Sequence, residues 1–182
     1  MKKFSVKSIV AIGIGAALFF VLGRFVIIPS PVPNTNVNVQ YALCAFMAVL
    51  FGPVVSTLLA LIGHILIDMS FGYGIWWSWV LASAVFGLIV GVMTKRVGLN
   101  NGVFSSPEIV RFVIAVIVAH AAAWFVVAPG LDILIYREPA NKVFMQGLVA
   151  GISNIVTTLI VGLLLCVAYV QTKPKKGSLK KD

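Results

Sequence analysis

The chain has 182 residues, 60% of them hydrophobic and only 10% charged. Soluble domains carry charge on about a quarter of their residues, so a soluble enzyme or binding module is excluded. The formal net charge of +9 would suggest nucleic acid in a soluble protein. Here the basic residues stand at the ends of apolar runs and in the tail that ends near Lys181, which argues for a lipid bilayer and against nucleic acid.

The sequence predicts an all-α membrane protein, one integral membrane domain over 1–182 with six transmembrane helices. The first helix is expected over 6–28, retained rather than cleaved as a signal peptide, because no small-residue cleavage site follows its apolar run. It holds two overlapping patterns of small residues four apart, Ala11-Ile-Gly-Ile-Gly15 and Gly13-Ile-Gly-Ala-Ala17, which let another helix approach closely. Arg24, near its far end, either snorkels to the interface or points into a pocket.

The connection from Pro29 to Gln40 is stiffened by three prolines, and Asn34, Asn36, Asn38 and Gln40 alternate with Thr35, Val37 and Val39. Period-two alternation sets the amides on one face of an extended segment, a form that suits a ligand lid as well as a solvated connector. Helices over 41–51, with Tyr41 at its start, and 54–69 follow, joined by Gly52-Pro53. Both are short for a full span, so they extend into the loops or are shielded by protein.

The next stretch is the most unusual. His64 and Asp68 lie four apart on one helical face, and ionisable residues within a span cost roughly 2.5–3.5 kcal/mol on insertion scales, which marks a functional site. The chain breaks at Gly72 and Gly74 around Tyr73, then restarts with Trp76-Trp-Ser-Trp79. Trp76 and Trp79 share a helical face while Trp77 points elsewhere, so part of the cluster lines a cavity and the rest suits an interfacial aromatic belt. Helices over 75–94, 109–128 and 143–170 complete the set, with a basic tail over 171–182. His120 and Trp124 lie one turn apart on the fifth helix, and the sixth carries Gln146 and Asn154. The segment 129–141 reads as a loop with a short apolar run, Leu131–Tyr136, lying in the interface.

Lysine and arginine counts orient the chain. Lys2, Lys3, Lys7, Lys95, Arg96, Arg111 and the tail lysines fall on one side, against Arg24, Arg137 and Lys142 on the other. This predicts both termini in the cytoplasm, with the asparagine loop, 72–79 and 129–141 outside. Cys44 and Cys166 sit far apart in apolar runs with no metal-ligand spacing, as inert core residues do.

Three functional classes are compatible with these residues. A binding subunit would use the aromatic face and the glycines to hold a flat conjugated ligand. An intramembrane metal-dependent enzyme would need His64, Asp68 and His120 to converge as a three-ligand set. A structural subunit would use His64 and Asp68 only as a hydrogen-bonded pair fixing helix packing. No Walker A sequence is present, so energy for uphill transport would come from partner subunits.

The motifs in order are Ala11-Ile-Gly-Ile-Gly-Ala-Ala17, Gly23-Arg-Phe25, Ile28-Pro with Pro33-Asn-Thr-Asn36, Phe51-Gly-Pro53, Ile62-Gly-His64 with Asp68, and Trp76-Trp-Ser-Trp79. Together they resemble the substrate-binding (S) components of energy-coupling factor (ECF) vitamin transporters, and in particular a family often described as ECF-type riboflavin S components. The resemblance implies an S-component fold in a prokaryotic plasma membrane, not an enzyme itself and with no cofactor of its own. It implies capture of a vitamin at the extracellular face and a complex with a transmembrane coupling subunit and two ATPases. It gives Ala11 and Gly15 the role of docking on the coupling subunit, with Gly15 standing where the family pattern has alanine. Cobalamin is the favoured ligand, its peripheral amides matching the asparagine loop and Gln146, with riboflavin the alternative. The expected contacts are Arg24, Asn34, Asn36, Asn38, Tyr41, His64, Asp68, Tyr73, Trp76, Trp79, His120, Trp124 and Gln146.

Overall fold

The computed structural model describes residues 5–173, so Lys2, Lys3 and most of the basic tail lie outside the described residues. Six helices form a bundle: α1 Val6–Phe25, α2 Gln40–Phe51, α3 Pro53–Phe71, α4 Trp77–Met93, α5 Ser106–Tyr136 and α6 Ala140–Gln171. Four of them, α1, α3, α5 and α6, are long and apolar enough to cross a bilayer, while α2 and α4 are shorter apolar helices. The chain is a multi-pass membrane protein.

The bundle is apolar outside, and its polar residues are gathered within an otherwise apolar core. Large exposed side chains such as Ile9, Ile14, Ile114, Ile152 and Leu164 cover the outer faces, whereas Gln40, Asp68, Ser83, His120, Asp132, Asn154 and Thr158 are buried. Lipid provides no drive to hide Leu or Ile, but a polar group inside hydrocarbon must find a partner, so the polar residues turn inward. The short α2 is the central post, with Tyr41, Ala42, Cys44, Ala45 and Ala48 buried among the other helices. Helices α3 and α4 meet at backbone distance: a Cβ at Gly91 would fall 2.3 Å from the Pro53 Cα, and one at Gly87 would fall 2.5 Å from the Ser56 carbonyl oxygen. The Ser56 hydroxyl donates to the Gly87 carbonyl at 2.7 Å across this seam.

Two boundaries correct the sequence expectation. The first helix ends at Phe25, not at 28, and the chain becomes a hairpin of β1 Ile27–Pro29 against β2 Asn36–Asn38. Three β-branched residues in a row favour extended backbone, and Ile28, preceding Pro29, is sterically driven out of the helical region. Register pairs Ile27 with Asn38 and Pro29 with Asn36. Ser30 closes the turn by donating to the Thr35 carbonyl at 2.7 Å, and Asn34 takes a left-handed conformation (φ 57°).

The fifth helix does not stop at 128 but runs on to Tyr136, so the expected interfacial loop is helical. Proline inside a helix lacks a donor and its ring strikes the carbonyl one turn back. Here Pro129 is preceded by a π-helical turn, Ala122–Val127, and a second follows at Asp132–Tyr136. The wider turn relieves the proline clash and lets the helix continue. Arg137, left-handed at φ 55°, then ends it, and Pro139 precedes α6.

Candidate ligand-binding site

A cavity of about 600 Å³ opens at the end of the bundle where the hairpin, the α3–α4 turn and the α5–α6 turn meet. The hairpin contributes Asn34, Asn36 and Asn38, α2 contributes Gln40 and Tyr41, and α3 contributes His64 and Asp68. Tyr73, Trp76 and Trp79 come from the α3–α4 turn and the start of α4, Trp124 and Asp132 from the π-helical turns of α5, and Gln146 and Asn154 from α6.

Asp132 organises the aromatic wall. Its carboxylate accepts the indole N–H of Trp76 at 2.6 Å and that of Trp79 at 2.7 Å, and the Ser78 hydroxyl also donates to it. Both indole donors are thereby used within the protein, so these tryptophans offer a ligand their faces rather than their N–H groups. Trp79 lies beside Trp124, ring centroids 5.2 Å apart, and Trp76 stacks on Tyr136 at 4.3 Å. Trp124 is held in turn by donating to His120 Nδ1 at 2.8 Å, while His120 Nε2 pairs with the Thr158 hydroxyl at 3.0 Å. With Nδ1 accepting, a neutral His120 carries its proton on Nε2.

A second polar line crosses the floor. Tyr41 and Ser83 share a hydrogen bond at 2.9 Å, and Ser83 pairs with His64 Nδ1 at 2.6 Å. His64 Nε2 faces Asp68 Oδ1 at 3.6 Å, too long for a hydrogen bond. The other Asp68 oxygen accepts the Trp76 backbone N–H at 2.9 Å and ties α3 to the start of α4.

The hairpin is fastened over the cavity by α6. Asn154 accepts the Asn38 backbone N–H at 2.9 Å, Thr157 donates to the Asn38 carbonyl at 2.8 Å, and Gln146 donates to the Pro33 carbonyl at 3.0 Å. Glu138 and Lys142 pair at 2.7 Å on the rim.

Of the residues expected to contact a ligand, all line this cavity except Arg24 and His120. The Arg24 guanidinium lies over the Phe71 ring, 4.3 Å from its centroid, close to the rim without lining the cavity. His120 stands behind Trp124, so His64, Asp68 and His120 do not assemble, and among the described residues no group of three metal-ligating side chains forms. Ala11 and Gly15, expected to face a partner, are buried in the fold; a Cβ at Gly15 would meet Leu59 at 3.0 Å. The polar lining residues not among the expected contacts are Thr35, Gln40, Asp132, Glu138, Lys142 and Asn154. A separate shallow groove lies where α5 starts beside the end of α4, lined by Met93, Ser106, Pro107, Val110, Arg111 and Ile114.

The chain is thus a multi-pass helical bundle with an aromatic-walled cavity at one end, the kind of concave site in which small-molecule sites occur. The model of the family described as "ECF-type riboflavin transporter, S component" matches residues 3–171, and the chain belongs to that family. It is 50% identical over 180 residues to a UPF0397 protein of Streptococcus pneumoniae strain Taiwan19F-14, covering 99% of this chain and 98% of the relative. A UPF0397 protein from strain Hungary19A-6 is 49% identical with the same coverage.

Proposed function

We propose that this chain is the substrate-binding subunit of an ECF-type importer in the plasma membrane, capturing a vitamin from outside for uptake driven by partner ATPases. The observation that carries the reading is the aromatic and amide cavity at one end of the bundle, in a chain whose family is that of such subunits. All six helices would cross the bilayer, α2 and α4 supported by protein around them. Among the described residues, Lys7, Lys95, Arg96, Arg111 and Lys173 stand at the ends away from the cavity, a bias that by the positive-inside rule supports an outward cavity and cytoplasmic termini.

The cavity volume favours a compact planar vitamin such as riboflavin over cobalamin. About 600 Å³ lies within the roughly 300–1,000 Å³ range of pockets that enclose drug-sized ligands. Cobalamin is far larger and would need the hairpin to stand away from α6. The coupling subunit would dock on the exposed small residues of α1, Gly13 and Ala17, since Ala11 and Gly15 are occupied within the fold.

The test is to purify the chain in detergent, incubate it with a vitamin panel without nucleotide, and measure retained ligand by absorbance and mass. Stoichiometric retention of one vitamin, with uptake in cells only when the coupling subunit and ATPases are co-expressed, supports the reading. Retention of no vitamin and failure to associate with any such module would overturn it.

A further inference from the structure

The groove between the end of α4 and the start of α5 has a volume of about 530 Å³ and no part in the vitamin cavity. At about 1.5 Å per residue, Met93 and Arg111 lie roughly 20 Å along their helices from Trp79 and Trp124, which line that cavity. The groove therefore sits at the opposite end of the bundle.

Its lining is divided by chemistry. Val110 and Ile114, one turn apart on α5, are exposed and run on into the apolar outer surface at Ile117 and Val118. Arg111 and Ser106 form the polar side. Just beyond Met93, Lys95 and Arg96 follow the end of α4, and both are exposed. None of these cations is paired within the chain: the ion pairs among the described residues are His64 with Asp68 and Lys142 with Glu138, both at the cavity end. The only acid from Met93 to Ile114 is Glu108. Its carboxylate caps α5, accepting the Ser105 backbone N–H at 3.0 Å and the Ser105 hydroxyl. Two further cations at this end rest on rings, Lys7 over Phe51 and Lys173 over Tyr169.

A soluble anion would leave the apolar half of the groove unused, and a neutral chain would leave Arg111 unpaired. An amphiphile with a negative headgroup matches both halves. Basic pockets between helices at the cytoplasmic end are where anionic lipid headgroups bind, attracted by each lysine or arginine near the surface. We propose that this groove holds one anionic phospholipid, its phosphate against Arg111 and an acyl chain along Val110 and Ile114. Lys95 and Arg96 strengthen the attraction for the headgroup. The site is independent of the vitamin cavity.

The experiment is native mass spectrometry of the delipidated full chain in detergent, with phosphatidylglycerol, phosphatidylcholine or glycerol phosphate added back. One phosphatidylglycerol should be retained at a concentration about tenfold below that needed for phosphatidylcholine, and glycerol phosphate should not be retained. Arg111→Gln should weaken phosphatidylglycerol about five- to tenfold, and Arg111→Lys should keep most of the binding. Lys7→Gln, at the same end but outside the groove, should bind like the parent chain. All three variants should melt like the delipidated parent, because the guanidinium has no partner within the chain.

Equal retention of the two lipids overturns the inference, and so does an equal loss in Lys7→Gln and Arg111→Gln, which would mean diffuse attraction to the basic end. Glycerol phosphate binding as tightly as phosphatidylglycerol would make this a phosphate site and not a lipid site. Arg111→Gln that keeps its lipid but no longer co-purifies with a coupling subunit would assign the groove to a protein partner and overturn the lipid. A lower melting temperature in both Arg111 variants would make the arginine a structural residue and likewise overturn it.

Discussion

Asp132 accepts the indole N–H of Trp76 at 2.6 Å across 56 positions of sequence, and this bond joins the far part of α5 to the start of α4. Because the same carboxylate also takes Trp79 and Ser78, one acid sets the orientation of two aromatic walls. The Trp76 backbone is fixed independently by Asp68, so ring and main chain are held by different helices. The cavity is thus preorganised before any ligand arrives, which reduces the ordering cost of binding.

Replacing Asp132 by alanine should orphan these donors together. Single intramembrane side-chain hydrogen bonds contribute about 0.6 kcal/mol on average and up to about 1.7 kcal/mol, so losing the set should cost about 2–4 kcal/mol. The expected outcome is a lower melting temperature in detergent and loss of measurable vitamin binding. An unaltered melting curve would show that the tryptophans are held by packing alone.

The hairpin should behave as a lid whose hold is set by α6. Asn154→Ala removes the acceptor for the Asn38 N–H while leaving the Thr157 bond to the Asn38 carbonyl. Ligand release should quicken, with affinity falling about tenfold for a loss of about 1.4 kcal/mol, mostly through the dissociation rate. Ser153→Ala is the control, since that hydroxyl bonds only carbonyls of its own helix, Val149 and Ala150. Equal release rates in the two variants would mean that the hairpin does not cover the ligand.

Much of this site is legible from sequence because an ionisable or amide residue in an apolar run stands out. His64, Asp68, Trp76 and Trp79 stand out that way, and of the period-two asparagines Asn36 and Asn38 lie on β2 and line the cavity, while Asn34 lines it from the turn. Asp132 carries the same signal, but Pro129 three residues earlier reads as the end of a helix, so its acid reads as a loop residue. Only the π-helical turns, which have no clear sequence mark, bring Trp124 and Asp132 to one wall. His120 and Trp124, one turn apart, look equivalent in sequence, yet the first supports the second from behind. The inward turn of Ala11 and Gly15 was equally hidden, because small residues four apart mark a close approach without saying which helix approaches.

Gly147 tests whether the α5–α6 contact sets the cavity wall. A Cβ there would lie 2.1 Å from the Trp124 carbonyl oxygen, so Gly147→Ala must push α6 from the π-helical turn. Overpacking of this kind costs about 1–3 kcal/mol. Ligand affinity should fall together with thermal stability, because the displaced backbone carries Trp124. Gly130→Ala meets nothing within 4 Å and should alter neither property. If Gly147→Ala melted and bound like the parent chain, the close approach would not hold in the membrane protein.

The partner surface of α1 can be separated from its packing surface by two substitutions two residues apart. At Gly13 an added side chain meets nothing within 4 Å, whereas at Gly15 it meets Leu59 and Met47. Gly13→Leu should therefore leave melting temperature and vitamin binding unchanged while preventing close approach of a coupling-subunit helix. Gly15→Leu should lower the melting temperature of the isolated chain by overpacking against α3. Co-purification with the coupling subunit and ATPases, measured beside the binding titration, distinguishes the two effects. Normal assembly of Gly13→Leu would place the docking surface on another face of the bundle, and loss of assembly with intact binding would assign it to the stripe of Gly13 and Ala17.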